Sequence, residues 1–461
     1  MAEHVDLAVV GAGISGLAAA WEGHRRGARV VVVDASPGAG GKLRTATLAG
    51  APVDEAADAF LARVPDAVDL CNELGIESEL VAPGTGTAHV WLDGALRRVP
   101  PDQLLGVPTD LDAVAASGLL SPAGVERARR DLTLPDDRPA GDESVGELIR
   151  RRLGAEVLDR LVAPLVGSIY AGDCDRLSLE VSAAQLAAAR DLDPKDPSLI
   201  RAAVALRNQA ANTGRPVFLA PVGGMARLVG ALTDGLGDAV RLGTAVTAVE
   251  PAGAGWRIAP LDVIADAVVV TAPAFAAHGL VRPLAPEAAD VLAGIDYASV
   301  TLVGLAVPRD GIDHALDGSG LLVPRSAGLL LTACSWFDQK WPHVPIDPGL
   351  AVLRASVGHD GDDRARTLPD DAIVAGVLAD LETTMGLRAA PVEVRVTRWE
   401  RSFPQPRPGH LGAMARADDA LAARSPRLAA TGAWARGVGI PACIRAARAA
   451  AARVVGATTE P

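Results

Sequence analysis

Cysteine is scarce: Cys71, Cys174, Cys334 and Cys443 are the only four in 461 residues, and no two form a Cys-x-x-Cys pair. That spacing argues against a zinc site or a disulfide framework, predicts no metal, and fits a reducing compartment. Lysine is scarcer still, with Lys42, Lys195 and Lys340 alone among 44 basic residues. Abundant Ala, Gly and Arg reflect base composition, so a lone arginine is a weak functional signal. Positive charge is short overall. A net charge of −12 and a pI near 5.2 exclude nucleic acid as an expected partner. No apolar run reaches ~18 residues without a charge, so no transmembrane segment is predicted. The opening Met1-Ala2-Glu3-His4-Val5-Asp6 lacks a signal peptide's basic region, and a cytoplasmic location is expected. No internal repeat or long low-complexity tract is present. With 49% hydrophobic residues, the chain can bury a large core and should divide into two or three domains.

What the chain has is glycine in a telling place. Val10-Gly11-Ala12-Gly13-Ile14-Ser15-Gly16-Leu17 follows an apolar strand, Val5 to Val10, and opens a helix. Gly11 allows the tight turn, Gly13 lets backbone approach a pyrophosphate, and Gly16 permits close helix packing. The phosphates would sit at a helix N-terminus, where free N–H groups and the dipole favour anions. A second strand, Arg29 to Val33, ends in Asp34, at the distance where an acid can accept hydrogen bonds from a ribose. A second glycine turn follows, Asp34-Ala35-Ser36-Pro37-Gly38-Ala39-Gly40-Gly41-Lys42-Leu43-Arg44-Thr45, with two cations just past the acid.

Three separated pieces read as one cofactor domain: residues 1–83, 214–282 and 396–461. The second holds Pro221-Val222-Gly223-Gly224-Met225-Ala226, a helix, the alternating Thr244 to Val249 and the buried strand Ala267 to Val270. Residues 101–213 are rich in helix and turn signals, and the Pro135 to Gly141 loop lies within them. Residues 84–100 and 283–395 form the remaining domain. Within it, Tyr297 to Val307, Gly320 to Pro324, Ala327 to Ser335 and Leu350 to Val357 read as strands of a mainly antiparallel sheet.

The paired glycine turns resemble the extended FAD fingerprint of glutathione-reductase-like flavoproteins, in their amine oxidase and protoporphyrinogen oxidase branch. Segments along nearly the whole chain narrow the likeness: Ala57 to Arg63, Leu165 to Asp173, Gly223-Gly224-Met225, Ser319 to Arg325, Lys340-Trp341-Pro342-His343 and Gly437 to Ile444. Together these look like the porphyrinogen oxidases, most like the coproporphyrinogen III oxidases of Gram-positive bacteria. The implied fold is α/β: a discontinuous Rossmann-like FAD domain, a mainly antiparallel substrate domain and a helical insert. The resemblance implies non-covalent FAD held by Gly11, Ala12, Gly13, Ile14, Ser15, Gly16, Asp34, Ala35, Gly41, Lys42, Leu43, Arg44, Ala56, Ala57, Asp58, Ala59, Val246, Trp399, Gly432, Val438, Gly439 and Ile440. It implies a porphyrinogen beside Arg63, Ile169 and Tyr170, dioxygen as electron acceptor, and transient contact with a downstream haem-pathway enzyme.

Oxidising a porphyrinogen to a porphyrin removes six hydrogens in three two-electron steps. The cofactor carries that chemistry and the protein supplies orientation and a dry pocket, so no side chain is expected to be catalytic. His410 reads as a turn or core histidine. Departures from the family pattern stand out as well. Pro406 replaces an aromatic in Pro404-Gln405-Pro406. Ser168 stands where glycine is common. Ala88 stands near the position, just before the strand Val90 to Leu92, where some relatives place an arginine that meets a propionate, leaving Arg97, Arg98 or main chain to substitute. Alternatives are protoporphyrinogen IX as substrate, an amine oxidase or carotenoid desaturase, and a non-catalytic porphyrin-binding flavoprotein. Two Tyr, five Phe and seven Trp offer few parts for the aromatic cage of an amine oxidase.

Overall fold

The computed structural model describes residues 2–211 and 214–456. The first strand, β1 (Glu3–Val10), sends Leu7 and Val9 into one apolar core and Ala8 and Val10 into another. Both faces are therefore covered, as in a parallel sheet. Helix α1 (Ile14–Arg25) follows, and strand β2 (Val30–Val33) returns parallel to β1, with Leu7 opposite Val30 and Val10 opposite Val33. Val263–Val270 runs parallel on the other side of β1. Val240–Arg241 extends the sheet beyond β2, and Leu428–Ala430 pairs with the end of Val263–Val270. The hairpin Ala248–Ala252 with Gly255–Ala259 completes seven strands. The closing helix Ile440–Gly456 packs Ile444, Ala447 and Ala451 into the same core as Leu17 and Ala18 of α1.

The second seven-stranded sheet runs Glu393–Pro404, Tyr297–Pro308, Leu350–Val357, Leu331–Trp336, Gly320–Leu322, Ala88–Leu92, Ala95–Arg98. Every neighbouring pair is antiparallel except Gly320–Leu322 with Ala88–Leu92. Three boundaries differ from the sequence reading. Residues 244–247 are not a strand, because Thr244 N–H donates to the Asp34 carbonyl (2.9 Å) and the ladder begins only at Ala248. The segment Ala327 to Ser335 starts with a turn at left-handed Gly328 (φ 69°), so its strand begins at Leu331. Val396 lies inside Glu393–Pro404, which pairs with Tyr297–Pro308 nearly end to end. The return to the first sheet comes at Leu428–Ala430.

A helical layer, from Leu111–Ser117 to Leu199–Ala211, forms around its own core of Val114, Leu148, Leu158, Val166, Leu186 and Ala203. Local chemistry fixes its helices. Asp110 caps the first by accepting from the N–H groups of Asp112 and Ala113, and Ser144 with Glu147 forms a reciprocal capping box. Fully buried Asp131 pairs with Arg152 (2.7 Å) and accepts from Ser198 Oγ (2.8 Å), satisfying both oxygens. Buried Gln405 ties this layer to the second sheet, donating from Nε2 to the Tyr170 carbonyl at 2.8 Å.

Candidate active site

A cavity of about 1900 Å³ opens where the three parts meet. Ordinary small-molecule pockets are ~300–1000 Å³, so this one has room for a large cofactor together with a substrate.

One end is built by the two glycine turns. Gly11 has φ 110°, and a Cβ there would lie 2.7 Å from Thr271 Oγ1; a Cβ on Gly16 would lie 1.8 Å from the Gly11 carbonyl oxygen. Both glycines are therefore demanded by protein packing. Gly13 differs, because a Cβ there would meet nothing within 4 Å. Its face is open space at the start of α1, a cradle shaped for a phosphate. The second turn packs onto the first, with Gly40 N–H donating to the Ala12 carbonyl (2.7 Å). Asp34 accepts from Ala12 N–H at 2.6 Å and Ser36 N–H at 2.7 Å. Each oxygen keeps a second lone pair for a ribose hydroxyl. Ala35, Ser36, Val246 and Thr247 line the cavity beside it.

Further in lie Lys42, Leu43 and Arg44, the start of the closing helix at Val438, Gly439 and Ile440, and Trp399. Lys42 donates to the Ser402 carbonyl at 2.6 Å. Burial lowers its pKa, and no carboxylate pairs with it among the described residues. A buried cation without an acid beside a phosphate-shaped cradle is suited to an anionic ligand. Trp399 donates from Nε1 to the Glu55 carbonyl (2.6 Å), and Arg44 lies over its ring at 5.3 Å while pairing with Glu55 at 3.0 Å. Cys443 also lines the cavity, and burial raises its thiol pKa.

Ala56, Ala57, Asp58 and Ala59 form the adjoining wall. Asp58 is buried, with Lys340 Nζ at 2.9 Å, Arg354 Nη2 at 3.5 Å and Trp341 Nε1 at 3.3 Å. Burial alone would raise its pKa, but the charges of Lys340 and Arg354 and the hydrogen bonds from Lys340 and Trp341 outweigh it and hold the carboxyl well below the usual range. The cluster carries a net positive charge on the cavity wall.

Ile169 and Tyr170 border the other end, with Leu158, Leu165, Phe218, Arg150, Arg325 and His359. Ile169 is 44% exposed and lines the cavity. Tyr170 donates its hydroxyl to the Val181 carbonyl (3.0 Å), and burial pushes its pKa up to about 12. It shapes the wall and is poorly suited to proton transfer. Ser168 sits in an ordinary helical turn, bonded to the Leu165 carbonyl. Arg325 donates to the Gly172 carbonyl at 2.8 Å and lies 3.7 Å from Asp173. Arg150 pairs with Asp175.

Several residues expected at the site lie outside this lining. Arg63 is exposed, one residue from cavity-lining Val64. Ala12, Gly16 and Gly432 pack behind the wall, Gly432 against the Trp434 ring. Neither Arg97 nor Arg98 reaches the cavity: Arg97 packs at Gly118, and Arg98 turns toward Thr87 and Asp317. His410 is buried with Nε2 at 2.7 Å from the Trp434 carbonyl, and burial lowers its pKa. It does not line the cavity. Conversely, the roles of Lys340 and Arg354 beside Asp58 escaped the sequence reading. Only the Lys340-Trp341-Pro342-His343 likeness hinted at the first.

This architecture agrees with comparisons to known proteins. Residues 14–455 match the flavin containing amine oxidoreductase family, and the chain belongs to it. It is 34% identical to a coproporphyrinogen III oxidase of Bacillus subtilis (strain 168), covering 96% of each chain. It is 33% identical to the enzyme of the same description from Propionibacterium freudenreichii subsp. freudenreichii, over 99% of this chain and 92% of that one. Among solved structures, a candidate protoporphyrinogen oxidase from Exiguobacterium sp. 255-15 superposes with TM-score 0.83 at 28% identity, covering 99% of both chains. The cofactor is therefore a flavin. No helix among the described residues is long and apolar enough to cross a membrane.

Proposed function

We propose that this protein is a cytoplasmic, oxygen-dependent coproporphyrinogen III oxidase of haem biosynthesis that holds FAD without a covalent bond. The observation that carries this reading is near-full-length similarity, at 34% identity, to the Bacillus subtilis coproporphyrinogen III oxidase. The cavity suits it: two glycine turns and Asp34 for a dinucleotide, and space beyond for a macrocycle. The bound flavin would take two electrons from substrate at each of three steps and pass them to dioxygen, giving hydrogen peroxide. The cradle at Gly13 would hold the pyrophosphate, Asp34 the ribose, and Trp399 with Ala56 to Ala59 the flavin's flank.

The chain's own residues position and shield. Apolar Leu158, Leu165, Ile169 and Val300 would exclude water from the reduced meso carbons. Of the three protons released, two would come from pyrrole nitrogens and the third from the fourth meso carbon, reaching a nitrogen by tautomerisation of the substrate, so neither Tyr170 nor His410 is needed as a base. Four substrate carboxylates call for donors at the cavity's edge, and Arg325 and Arg150 are the cations there, each now partnered only by exposed or main-chain groups. Product would pass from the open end to a downstream haem-pathway enzyme. The test is to mix flavin-loaded protein with coproporphyrinogen III, first without and then with air. Flavin bleaching at once, followed in air by lasting porphyrin fluorescence and peroxide, is expected; absence of porphyrin above the autoxidation rate overturns the reading.

A further inference from the structure

Away from the cavity, His89, His314 and Asp317 converge at the rim of the second sheet. His89 is on the strand Ala88–Leu92, and the other two come from the loop after Arg309–Gly311. Their potential ligand atoms all lie within 4.8 Å of one another. Asp317 Oδ1 is 3.4 Å from His89 Nε2 and 3.9 Å from His314 Nε2. None of the three lines the large cavity, and the proposed oxidation has no use for them. We propose that this triad binds one divalent cation of the zinc, nickel and copper class.

The donor set selects the ion. Two imidazoles and one carboxylate suit borderline transition metals, whereas magnesium and calcium take oxygen. Zinc holds such donors at ~2.0–2.2 Å, which sets tetrahedral neighbours roughly 3.3–3.6 Å apart. One pair is already at that spacing and a second is within a few tenths of an ångström. Asp317 can close its gap to His314, because its side chain is 53% exposed, while the two imidazole nitrogens, within 4.8 Å of each other, draw together as the ion binds. The same exposure leaves a fourth position for water.

His89 is 4% exposed, and its Nε2 faces the Asp317 carboxylate. With an ion at Nε2 the buried ring would serve as a neutral ligand carrying its proton on Nδ1. The loop is also held in shape for the task. Leu316, buried between the two loop donors, has φ 50°, a left-handed conformation that costs a non-glycine residue. Both histidine rings pack on Trp336, with centroids 5.3 and 4.9 Å away.

Two features limit the affinity. His314 Nδ1 accepts the Leu316 N–H at 3.0 Å, so the neutral ring carries its proton on Nε2. Binding moves that proton to Nδ1 and exchanges the Leu316 hydrogen bond for the metal bond. Arg98 Nη1 also stands 3.9 Å from Asp317 Oδ2 and competes for the carboxylate.

The test uses the full-length, flavin-loaded protein, stripped with chelator and freed of it, and titrated calorimetrically with zinc sulfate. One site per chain is expected. His314→Ala and Asp317→Ala should each weaken it at least tenfold, with flavin content and far-ultraviolet circular dichroism unchanged. Copper(II) should quench part of the tryptophan emission in the parent, through Trp336, and not in Asp317→Ala. Absence of a stoichiometric site, or equal affinity in parent and both variants, overturns the proposal.

Discussion

Replacing Asp58 by Asn removes one charge and almost no volume, so it isolates the electrostatics of the cavity wall. Asp58 is 8% exposed, with Lys340 at 2.9 Å and Arg354 at 3.5 Å. Breaking a buried ion pair from one side costs about 3–5 kcal/mol, because the partners stay buried without a counter-charge. An asparagine oxygen can still accept from Trp341 or Lys340, which puts the expected loss near 3 kcal/mol, a change of roughly two orders of magnitude in the folded-to-unfolded ratio. The assay is urea unfolding of flavin-free protein followed by tryptophan emission, with parent and variant compared by midpoint and slope. Adding Lys340→Met to Asp58→Asn should restore part of the loss by removing one orphaned cation. The pH dependence has a definite sign. The folded-state pKa of Asp58 is depressed, so its contribution is complete above the unfolded value, about 3.9, and is lost as pH falls through the folded value. The gap between parent and variant should be flat at neutral pH and narrow only below about pH 4. A gap under about 1 kcal/mol at pH 7, the scale of an exposed pair, or one that stays constant far into acid, would refute the reasoning.

Three further outcomes follow from the geometry. Gly13→Leu should fold normally and lose flavin, since its Cβ meets only open space, whereas Gly16→Ala should damage folding, since its Cβ would lie 1.8 Å from a backbone oxygen; circular dichroism and flavin absorbance after reconstitution separate the two. Asp34→Ala gives up two charged hydrogen bonds at 2.6 and 2.7 Å that shape the cradle, each worth about 1.5–3 kcal/mol, so flavin Kd by fluorescence titration should rise at least tenfold. His410→Ala and Tyr170→Phe should keep anaerobic flavin reduction within about the 10²-fold associated with loss of a general base; a larger loss at matched flavin occupancy would make that residue a proton-transfer group.

The parts of this molecule legible in the sequence are those whose physics is local. The turn from Val10 to Leu17 is such a case, because a positive φ at Gly11 and helix contact at Gly16 leave no alternative to glycine. The strand Val263–Val270 is apolar throughout its second half for a similarly plain reason, burial on both faces. What stayed hidden depends on distant pairing. Asp58 gave no sign of Lys340, 282 residues away, nor Trp399 of the Glu55 carbonyl 344 residues back. Arginine was misleading in a chain that uses it nearly everywhere. Arg63, Arg97 and Arg98 turn away from the cavity, while Arg325 and Arg354 enter it from strands and turns whose facing only the sheet register decides. His89, His314 and Asp317 carry no spacing motif, since two sheet neighbours and a loop bring them together.

The central claim is that this cavity oxidises a tetracarboxylate porphyrinogen. Its most direct test is kcat/KM for coproporphyrinogen III and for protoporphyrinogen IX, measured in air by porphyrin fluorescence with peroxide recorded in parallel. Turnover of both is expected in the order coproporphyrinogen above protoporphyrinogen, with three peroxides per porphyrin and a KM for the tetracarboxylate that rises more steeply with salt, because exposed charge pairs are screened within roughly 10 Å at 0.1 M. Equal or better use of protoporphyrinogen IX would contradict the substrate assignment, and no flavin-dependent porphyrin formation from either would contradict the account as a whole.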